Sequence, residues 1–419
     1  MPGEEVLQVK FLCSDARYAS DIPSAAVMVP TKLKRYGLSE IINMFCKTQN
    51  VAFDFVIDQK VLTVSLSKYI ELNNISLETV LEVNVIRSIS PPIQRAFSQQ
   101  NDWISAVKMR DDRILSGSYD GISRIWNLSG DCLGVCKFHE CPVKSVVWTT
   151  RNSMITASLD GTVVGWEILE NSLGNLSVER TFVGQGHVAG IESVSVDIDC
   201  ANFATGSHDS NICLWSCLPD QESPNSLAAG EKGKRRRVSE TSGLLKAPKL
   251  TLESHSSAVS AVEFSLVNGH TLYSGSWDHS IRSWDIAQES NVSTVNCETV
   301  VLDLKECPFN AGIIASAGAD SVVRLWDCRT VFQDMRLGLS SHTNWVSCVA
   351  WSPENGNHIA SGGYDGKVKV WDIRSCTRPL HSISGVDQVD QKVFCLDWSA
   401  SGLVSGSQDG KMRSHTFAH

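Results

Sequence analysis

The sequence contains no run that approaches the roughly 18 consecutive apolar residues of a membrane-spanning helix, so no membrane association is expected. Its first residues, Met-Pro-Gly-Glu-Glu-Val, have neither a basic segment nor an apolar core, which argues against a secretory signal. Positive charge is not in excess, because 37 Lys and Arg stand against 46 Asp and Glu and give a net charge of −9 at pH 7. Nucleic-acid binding through bulk charge is therefore excluded, although a local basic patch is not.

The 14 cysteines include no CxxC pair, and their closest spacings are Cys132/Cys136/Cys141 and Cys213/Cys217. A zinc site is not expected without paired cysteines of that kind. The sequence also has no GxxxxGK[ST] loop for a nucleotide, no HExxH and no GxSxG motif. These absences predict a protein that is not an enzyme and that holds no cofactor or metal of its own.

The sequence does contain a unit that recurs seven times. Each copy has an Asp with a Ser or Thr four residues before it, and six copies have a Trp six residues after it. The copies are Ser116/Asp120/Trp126, Thr156/Asp160/Trp166, Thr205/Asp209/Trp215, Ser274/Asp278/Trp284, Ser316/Asp320/Trp326, Ser361/Asp365/Trp371 and Ser405/Asp409, the last with His415 in place of the Trp. Successive Asp residues are 40 to 49 apart, with one gap of 69. Such constant spacing identifies a repeat protein.

Alternating apolar residues within each copy predict strands, and Asp-Gly pairs predict tight hairpins between them. A period of this length with about four strands is typical of a WD40 blade, so the repeats predict a seven-bladed β-propeller over residues 91–419. Residues 93–99 are expected to form the outermost strand of the last blade beside residues 411–417. That pairing would close the ring without an open edge.

In the WD40 family a His before the first strand joins the Ser/Thr, Asp and Trp in a buried hydrogen-bonded tetrad. Four copies here have a His 21 to 23 residues before the Asp. The resemblance implies tetrads at His139/Thr156/Asp160/Trp166, His187/Thr205/Asp209/Trp215, His255/Ser274/Asp278/Trp284 and His342/Ser361/Asp365/Trp371. We interpret these residues as structural groups that stabilise the blades, not as catalysts or metal ligands, since buried polar groups are normally paired. The first, fifth and seventh copies lack the His and are expected to depend more on apolar packing.

Residues 1–90 follow a different pattern. Strand-like runs lie at residues 9–13, 25–29, 52–57, 61–65 and 80–85, and helix-like segments at 39–46 and 67–72. The order β-β-α-β-β-α-β is that of a small α+β ubiquitin-like domain, the β-grasp fold. The predicted fold class is therefore an all-β seven-bladed WD40 propeller preceded by a ubiquitin-like domain.

Residues 34–43 (KRYGLSEIIN) and 53–57 (FDFVI) closely resemble the NLE domain. Residues 101–108 (NDWISAVK) and 116–121 (SGSYDG) resemble the first blade of one NLE-plus-WD40 family, the WD-repeat subunits of the PeBoW complex. The resemblance covers essentially the whole chain. It implies a non-enzymatic scaffold for assembly of the large ribosomal subunit (pre-60S) and rRNA maturation, located in the nucleolus and nucleoplasm.

The same resemblance implies the partners. The propeller would bind a block-of-proliferation-type protein, in a complex with a pescadillo-type protein on the pre-ribosomal particle. The NLE domain would dock to the MIDAS domain of midasin, the AAA ATPase that releases the complex. An acidic residue after an Ile/Leu-Ser-x pattern, here Glu78, would complete the coordination of the Mg²⁺ ion that the MIDAS domain holds. Mg²⁺ is commonly bound through few carboxylates; the alternative interpretation is an ordinary exposed Glu.

Residues 218–249 are rich in Ser, Gly, Glu and Lys and almost free of aromatics, which predicts a disordered insertion between blades 3 and 4. The insertion contains a basic run made up of Lys232, Lys234, Arg235, Arg236 and Arg237. Such a run predicts a nuclear localisation signal or a contact to rRNA. A solvated run of charges is the alternative.

Two other functions fit parts of the sequence. A Notchless-type factor pairs the same N-terminal domain with a propeller, but it has an eighth blade and a longer linker. A WD40 substrate receptor of a cullin-type ubiquitin ligase is the second, because Trp-Asp-x-Arg occurs at residues 326–329 and 371–374. In such receptors the Arg contacts the ligase adaptor, whereas in many propellers the Asp and Arg form only a surface pair.

Overall fold

The computed structural model describes residues 5–13, 15, 17–48, 51–76, 79–170, 176–217, 245–329, 335–375, 378–384 and 391–417, with the backbone alone at 96–97 and 335–336. The chain forms two compact units, one up to Pro91 with the C-terminal residues from Phe417, and one over Pro92–Thr416. Over these described ranges, no helix is long and apolar enough to cross a membrane.

The first unit is a mixed sheet with two helices, counted over its described residues. Its elements are β1 (Val6–Cys13), β2 (Val27–Pro30), α1 (Arg35–Cys46), β3 (Phe53–Ile57), β4 (Lys60–Val61), α2 (Leu66–Asn73) and β5 (Leu81–Arg87). The strand order is β2-β1-β5-β3-β4, with β1 and β5 parallel and the other pairs antiparallel. Leu38 and Ile42 of α1 share a core with Phe55 and Val83 of the sheet.

The predicted order of elements in this unit is confirmed, but several boundaries were wrong, including the start of β1, both ends of β2, the start of α1 and the end of β4. Helix α1 begins at Arg35 rather than near Ser39, because the Ser39 hydroxyl lies inside the helix and bonds the carbonyl oxygen of Val51 and the N–H of Phe53. Strand β4 ends before residue 65, because Ser65 is the N-cap of α2 and its hydroxyl accepts a hydrogen bond from the N–H of Lys68.

The second unit consists of sheets built from twenty-nine strands in its described part, and all their strand pairs except β14–β18 are antiparallel. These are β6 (Ile93–Gln99), β7 (Ile104–Arg110), β8 (Arg113–Ser118), β9 (Ile122–Asn127), β10 (Cys132–Lys137), β11 (Val143–Trp148), β12 (Ser153–Ser158), β13 (Thr162–Glu170), β14 (Leu176–Gln185), β15 (Ile191–Val196), β16 (Asn202–Ser207), β17 (Asn211–Ser216), β18 (Leu245–Lys246), β19 (Leu250–Glu253), β20 (Val259–Phe264), β21 (Thr271–Ser276), β22 (Ser280–Asp285), β23 (Ser290–Asn296), β24 (Val301–Glu306), β25 (Ile313–Gly318), β26 (Val322–Asp327), β27 (Met335–Ser340), β28 (Val346–Trp351), β29 (His358–Gly363), β30 (Lys367–Asp372), β31 (His381–Ser384), β32 (Val393–Ser399), β33 (Gly402–Ser407) and β34 (Lys411–Thr416).

In the described residues these strands make seven sheets, which we number in chain order. Sheet 1 is β7–β10, sheet 2 is β11–β14 with β18, sheet 3 is β15–β17 with β19, sheet 4 is β20–β23, sheet 5 is β24–β27, sheet 6 is β28–β31 and sheet 7 is β32–β34 with β6. The first strand of each sheet contacts the first strand of the next, and the first strand of sheet 7 contacts that of sheet 1. The seven sheets therefore follow one another in a closed cycle.

Sheet 7 joins the two ends of the second unit. Strand β6 pairs with β34, in a register that sets Ile93 opposite Thr416 and Gln99 opposite Lys411. The prediction that residues 93–99 form the outer strand of the last sheet is confirmed. Because this strand precedes sheet 1 in the chain, the cycle is closed by hydrogen bonds between distant segments.

The predicted disordered insertion 218–249 is wrong at its C-terminal end. Leu245–Lys246 forms β18, a fifth strand that pairs in parallel with β14 of sheet 2. The Lys246 ammonium lies 4.8 Å from the centre of the Phe182 ring, which holds this short strand on the outside of the sheet. Residues 218–244, with the basic run, lie outside the described residues.

Candidate functional site

The repeated Asp lies in the turn between the second and third strands of its sheet. In each of the seven described sheets its Oδ1 accepts a hydrogen bond from the backbone N–H two residues later, at 2.8–3.2 Å. In sheet 1 the next residue, Gly121, has φ +75°, and a Cβ there would lie 2.7 Å from the carbonyl oxygen of His139. The Asp-Gly pair thus fits a turn that is both left-handed and crowded.

The structure brings each of the four sequence-predicted tetrads together. The His Nδ1 lies 2.8–2.9 Å from the Asp Oδ2, the His Nε2 lies 2.7–2.9 Å from the Ser or Thr hydroxyl, and the Trp Nε1 lies 2.8–3.0 Å from that hydroxyl. An indole N–H can only donate, so the hydroxyl accepts from it. A carboxylate can only accept, so the imidazole donates to it from Nδ1.

The tetrad tryptophans make the predicted bond and are also core residues. Trp215, Trp284 and Trp371 keep only 0%, 3% and 0% of their surface exposed, and Trp166 keeps 6%. Apart from the indole N–H, each ring packs in an apolar cluster that combines its own sheet with the sheet before it. Trp215, for example, stacks on Phe203 with 5.8 Å between ring centres.

The large apolar area of an indole explains this burial, since one N–H is satisfied by the hydroxyl and the rest of the ring gains from packing. Trp215, Trp284 and Trp371 are therefore core residues that join neighbouring sheets. None of the three is accessible to a ligand or a partner, so they are not residues of a binding site.

The hydrogen-bonded network keeps the carboxylate charged. Burial by itself raises the pKa of Asp160, but hydrogen bonds from His139 and Thr162 outweigh burial and hold that pKa at about 2. Asp278 has the same balance, with bonds from Ser280 and His255, and its pKa is also about 2. The tetrad residues therefore satisfy one another's hydrogen bonds within each sheet.

The three sheets without a His use an Arg instead, so the expectation that they depend more on apolar packing is wrong. Arg124, Arg324 and Arg413 each lie four residues after the Asp and pair with its Oδ2 at 2.5–2.7 Å. In sheet 1 the Gln100 amide also fills the place of the His, because it donates to the Ser116 hydroxyl at 2.8 Å and accepts from Arg124 at 3.0 Å. The sequence signal was an Arg four residues after the Asp in every copy without the His.

His415 stands where the other six sheets have the Trp. Its side chain is 2% exposed, and its Nδ1 is buried without a hydrogen-bond partner among the described residues. Burial, and then the charge of Arg413, lower the pKa of His415 to about 4. Sheet 7 therefore has the least complete polar set.

Both Trp-Asp-x-Arg motifs form pairs within themselves. Arg329 binds Asp327 through two nitrogens, Nε at 2.9 Å and Nη2 at 3.0 Å. Arg374 binds Asp372 in the same way, at 2.8 and 2.6 Å. Both carboxylates are almost fully buried, so these pairs account for the motif without an external partner.

A bulge at one fixed position shapes the inner edge of the sheets. The first strand of every described sheet shifts register against the second by one residue. The bulged residues are Ser105, Lys144, Glu192, Ser260, Leu302, Ser347 and Phe394, and all of them line one central cavity of about 250 Å³. Since a bulged residue is left out of the ladder, its side chain is free to vary between copies.

The charged members of this set form one cluster. Glu192 accepts hydrogen bonds from His208 at 2.7 Å and from Lys144 at 3.2 Å, and Lys144 also donates to the Tyr119 hydroxyl at 3.3 Å. The bond to Glu192 raises the pKa of His208. Burial opposes the charge of Lys144, but the nearby Glu192 carboxylate raises the pKa of that ammonium.

Aromatic side chains continue from this cluster around the cavity. Phe394 lies 5.5 Å from Trp103, 6.3 Å from Tyr119 and 5.8 Å from Tyr364, measured between ring centres. Trp345 stacks on Tyr364 at 5.7 Å. We call the following set the cavity mouth: Trp103, Tyr119, Lys144, Glu192, His208, Trp277, Trp345, Tyr364, Lys392 and Phe394. This surface was not identified from the sequence, because its members are dispersed over about 290 residues of the chain.

Within the described residues, no group of three or more His, Cys, Asp or Glu could hold a metal ion. Glu78 and the basic run of Lys232, Lys234, Arg235, Arg236 and Arg237 lie outside the described residues. Helix α2 ends at Asn73 and β5 begins at Leu81, so the connection that contains Glu78 joins these two elements.

The class of the protein follows from two family matches. Residues 7–70 match the NLE (NUC135) domain, and residues 130–167, 177–216, 246–285 and 334–372 match the WD domain, G-beta repeat. The chain is thus an NLE-domain protein with WD40 repeats.

Full-length relatives then give the family. The chain is 32% identical to the Ribosome biogenesis protein WDR12 homolog of Nematostella vectensis, over 98% of this chain and 99% of the relative. It is 31% identical to the Ribosome biogenesis protein WDR12 homolog of Trichoplax adhaerens, over 97% and 95% of the two chains. It is also 31% identical to the Ribosome biogenesis protein YTM1 of Eremothecium gossypii, over 97% and 96%. The chain belongs to the WDR12/Ytm1 family of ribosome biogenesis proteins.

The arginine network of sheet 1 can be tested by conversion to a His tetrad. Arg124→Val leaves the half-buried Asp120 without its cation and should lower the free energy of unfolding by roughly 2–3 kcal/mol. Adding Gln100→His supplies the imidazole and should recover at least about 1 kcal/mol. Denaturant unfolding followed by tryptophan fluorescence measures both. Arg282→Val is the matched control, because Asp278 keeps its bond to His255; this variant should lose less than about 1 kcal/mol of unfolding free energy. If the changes in unfolding free energy of Arg124→Val and Gln100→His simply add in the double variant, the network is contradicted.

The buried His415 should make the second unit less stable in acid. Its pKa is about 4 in the folded protein, below the ordinary value of 6.5. The unfolded chain therefore binds this proton first, and the free energy of unfolding should fall as the pH falls from 6.5 to 4, by about 3 kcal/mol at most. His415→Phe should remove that part of the pH dependence, whereas the exposed His270→Phe should not. Unfolding profiles measured across this pH range that are identical for the wild type and His415→Phe would refute the assignment.

Proposed function

We propose that the chain is a non-enzymatic scaffold subunit of a pre-ribosomal complex needed for large-subunit (pre-60S) assembly and rRNA maturation. The observation that carries this proposal is the relationship to ribosome biogenesis proteins over nearly the full length of both chains. The internal use of the recurring His, Asp, Ser and Trp side chains supports it, since those groups serve the sheets and not a reaction.

The same proposal includes the finer architecture. The seven sheets would be the blades of one closed propeller, which the cyclic contacts between their first strands support. The first unit would be a ubiquitin-like β-grasp domain, supported by the order β2-β1-β5-β3-β4 with parallel β1 and β5. The propeller would bind a block-of-proliferation-type protein, in company with a pescadillo-type protein on the pre-ribosomal particle.

Purification of the tagged full chain from nuclear extract tests this function. Co-purification of large-subunit precursors and their rRNA is the expected result. Recovery of a cullin and its adaptor in place of pre-ribosomal proteins would favour the ligase receptor. The pairing of Arg329 and Arg374 within their own motifs argues against that outcome.

The NLE domain would dock to the MIDAS domain of midasin through Glu78, which would supply one carboxylate oxygen to the Mg²⁺ of that partner. A single carboxylate suits Mg²⁺, which keeps near-octahedral oxygen coordination and completes it with water and other ligands. Glu78 belongs to the short connection between α2, which ends at Asn73, and β5, which begins at Leu81, and this position supports the proposal.

Glu78→Gln should abolish Mg²⁺-dependent binding of the full chain to a MIDAS fragment, because the amide is a neutral and weaker ligand. Glu78→Asp should bind weakly, because it keeps the charge and shortens the reach by one methylene. Glu82→Gln on β5 is the matched control, since Glu82 is an exposed carboxylate that pairs with Lys10. Binding is measured by calorimetry with Mg²⁺ and with EDTA; equal affinity of the wild type and Glu78→Gln would remove Glu78 from the interface.

The nuclear location would depend on the basic run. Replacing Lys232, Lys234, Arg235, Arg236 and Arg237 with Ala should move a fluorescent fusion toward the cytoplasm, whereas replacing the two lysines with Arg should not. The first change removes the charge that an import receptor reads, and the second preserves it. Unchanged nuclear accumulation of the Ala variant would reject an import role, and rRNA binding by the two variants can be compared in parallel.

A further inference from the structure

The cavity mouth presents more aromatic surface than the sheets use for their own packing. Trp103, Trp277 and Trp345 keep 39%, 43% and 46% of their surface exposed. Trp103 and Trp345 belong to the continuous set of rings around Phe394, and Trp277 lies edge-on to His208 at 5.4 Å. Exposed apolar surface that is contiguous, rather than scattered, marks a binding site.

A comparison within the chain shows that the fold does not require these rings. Tyr119, Trp277 and Tyr364 each directly precede the turn Asp of their sheet. The same position holds Leu159 in sheet 2, Ala319 in sheet 5 and Gln408 in sheet 7. The turn therefore forms with aliphatic or polar residues, and the aromatic residues at the mouth are not explained by the sheets.

Two ammonium groups also contact these rings. Glu192 is the one carboxylate of the charged cluster in the described structure, and it faces both Lys144 and His208. Lys144 lies 5.4 Å from the centre of the Tyr119 ring, and Lys392 lies 4.7 Å from the centre of the Tyr364 ring. The aromatic floor holds the ammonium groups at the rim, where an incoming anion meets them.

The central cavity is too small for most cofactors. Its volume of about 250 Å³ lies below the roughly 300–1,000 Å³ of typical small-molecule sites. A cavity of this size, lined by Trp277, Tyr119 and Tyr364, suits one or two side chains of a protein segment.

We propose that the cavity mouth binds an acidic segment of a protein partner. One carboxylate of that segment meets Lys392, which lies over the Tyr364 ring, and an adjoining apolar side chain packs against the exposed tryptophans. The proposal deepens the scaffold function above and rests on it, since it assigns the surface and the chemistry through which one partner is held.

A nucleic acid fits this surface less well. The exposed Asp102 and Glu140 lie in the connections that lead into sheets 1 and 2, at the same edge as Trp103 and Lys144. These carboxylates and the net charge of −9 oppose a polyanion more strongly than a segment that carries one carboxylate. The basic groups here are few and lie over rings, whereas strand binding needs a groove of positive charge along the backbone.

Selection from a random peptide library tests the proposal directly, because it does not require the partner to be identified. Displayed peptides about twelve residues long are selected on the full chain and counter-selected on the double variant Trp277→Ala, Lys392→Glu. The expected result is a group of mouth-dependent peptides with an acidic residue next to an aromatic, aliphatic or Pro residue. A selection that returns no mouth-dependent peptide, or only basic ones, overturns the proposal.

A charge exchange then tests the ionic contact in a way that misfolding cannot imitate. Lys392→Glu should weaken binding of a selected peptide by about tenfold, and a peptide with Lys in place of its acidic residue should bind this variant better than the wild type. Arg151→Glu is the matched control, because Arg151 is an exposed cation in the turn at the opposite end of the first strand of sheet 2. Equal binding by Lys392→Glu and the wild type, or stronger competition by random single-stranded RNA than by the peptide, overturns the proposal.

The two levels of assignment fail in different ways. If the wild-type chain does not co-purify with large-subunit precursors, the scaffold function fails whatever the peptides show. If the wild type co-purifies with those precursors while the mouth variants bind selected peptides unchanged, the scaffold function stands and the assignment of the mouth is overturned.

Discussion

The charged carboxylate in the turn between the second and third strands is the constraint on which the whole second unit depends. Its Oδ1 fixes the turn through the N–H two residues later in every described sheet. Its Oδ2 then needs a cation or an N–H donor, because an unpaired charge at such a half-buried place is costly. Four sheets meet this need with an imidazole and three with a guanidinium. The repeat thus preserves an electrostatic balance more strictly than it preserves one residue type.

The first strands of the sheets also hold neighbouring sheets together. Small polar side chains on the first strands bridge each joint of the described cycle. The bridges are Ser105 to Val143, Ser145 to Val194, Ser193 to Val262, Ser260 to Val301, Asp303 to Val349, Ser347 to Val393 and Asp397 to Met109. Each bond joins a side chain to a backbone group of the next sheet, so the joints do not depend on apolar contact alone.

These two uses of polar residues explain where function can reside. The tetrads, the arginine pairs and the inter-sheet bridges all satisfy groups within the fold. The bulged position lies outside the ladder and tolerates Ser, Lys, Glu, Leu or Phe. Its three serines form inter-sheet bridges, whereas Lys144, Glu192 and Phe394 at the same position belong to the cavity mouth. The bulged residue and the residue before the turn Asp differ from sheet to sheet. These differences make the cavity mouth asymmetric although the sheets repeat.

The sequence by itself determined the repeat, the four His tetrads and the order of elements in the first unit, because each depends on spacing along a short stretch of chain. Fixed intervals such as Thr156 to Asp160 to Trp166 place side chains on adjacent strands of one hairpin, where a local pattern dictates contact. The tertiary structure alone decided the partners that are distant in the chain. Gln100 takes the place of the imidazole in sheet 1, but it lies 20 residues before Asp120 and is not a His. The spacing of the His tetrads therefore did not predict it. The cavity mouth draws Trp103 and Phe394 together across almost the whole second unit, because the cycle of sheets closes only when strand β6 pairs with β34.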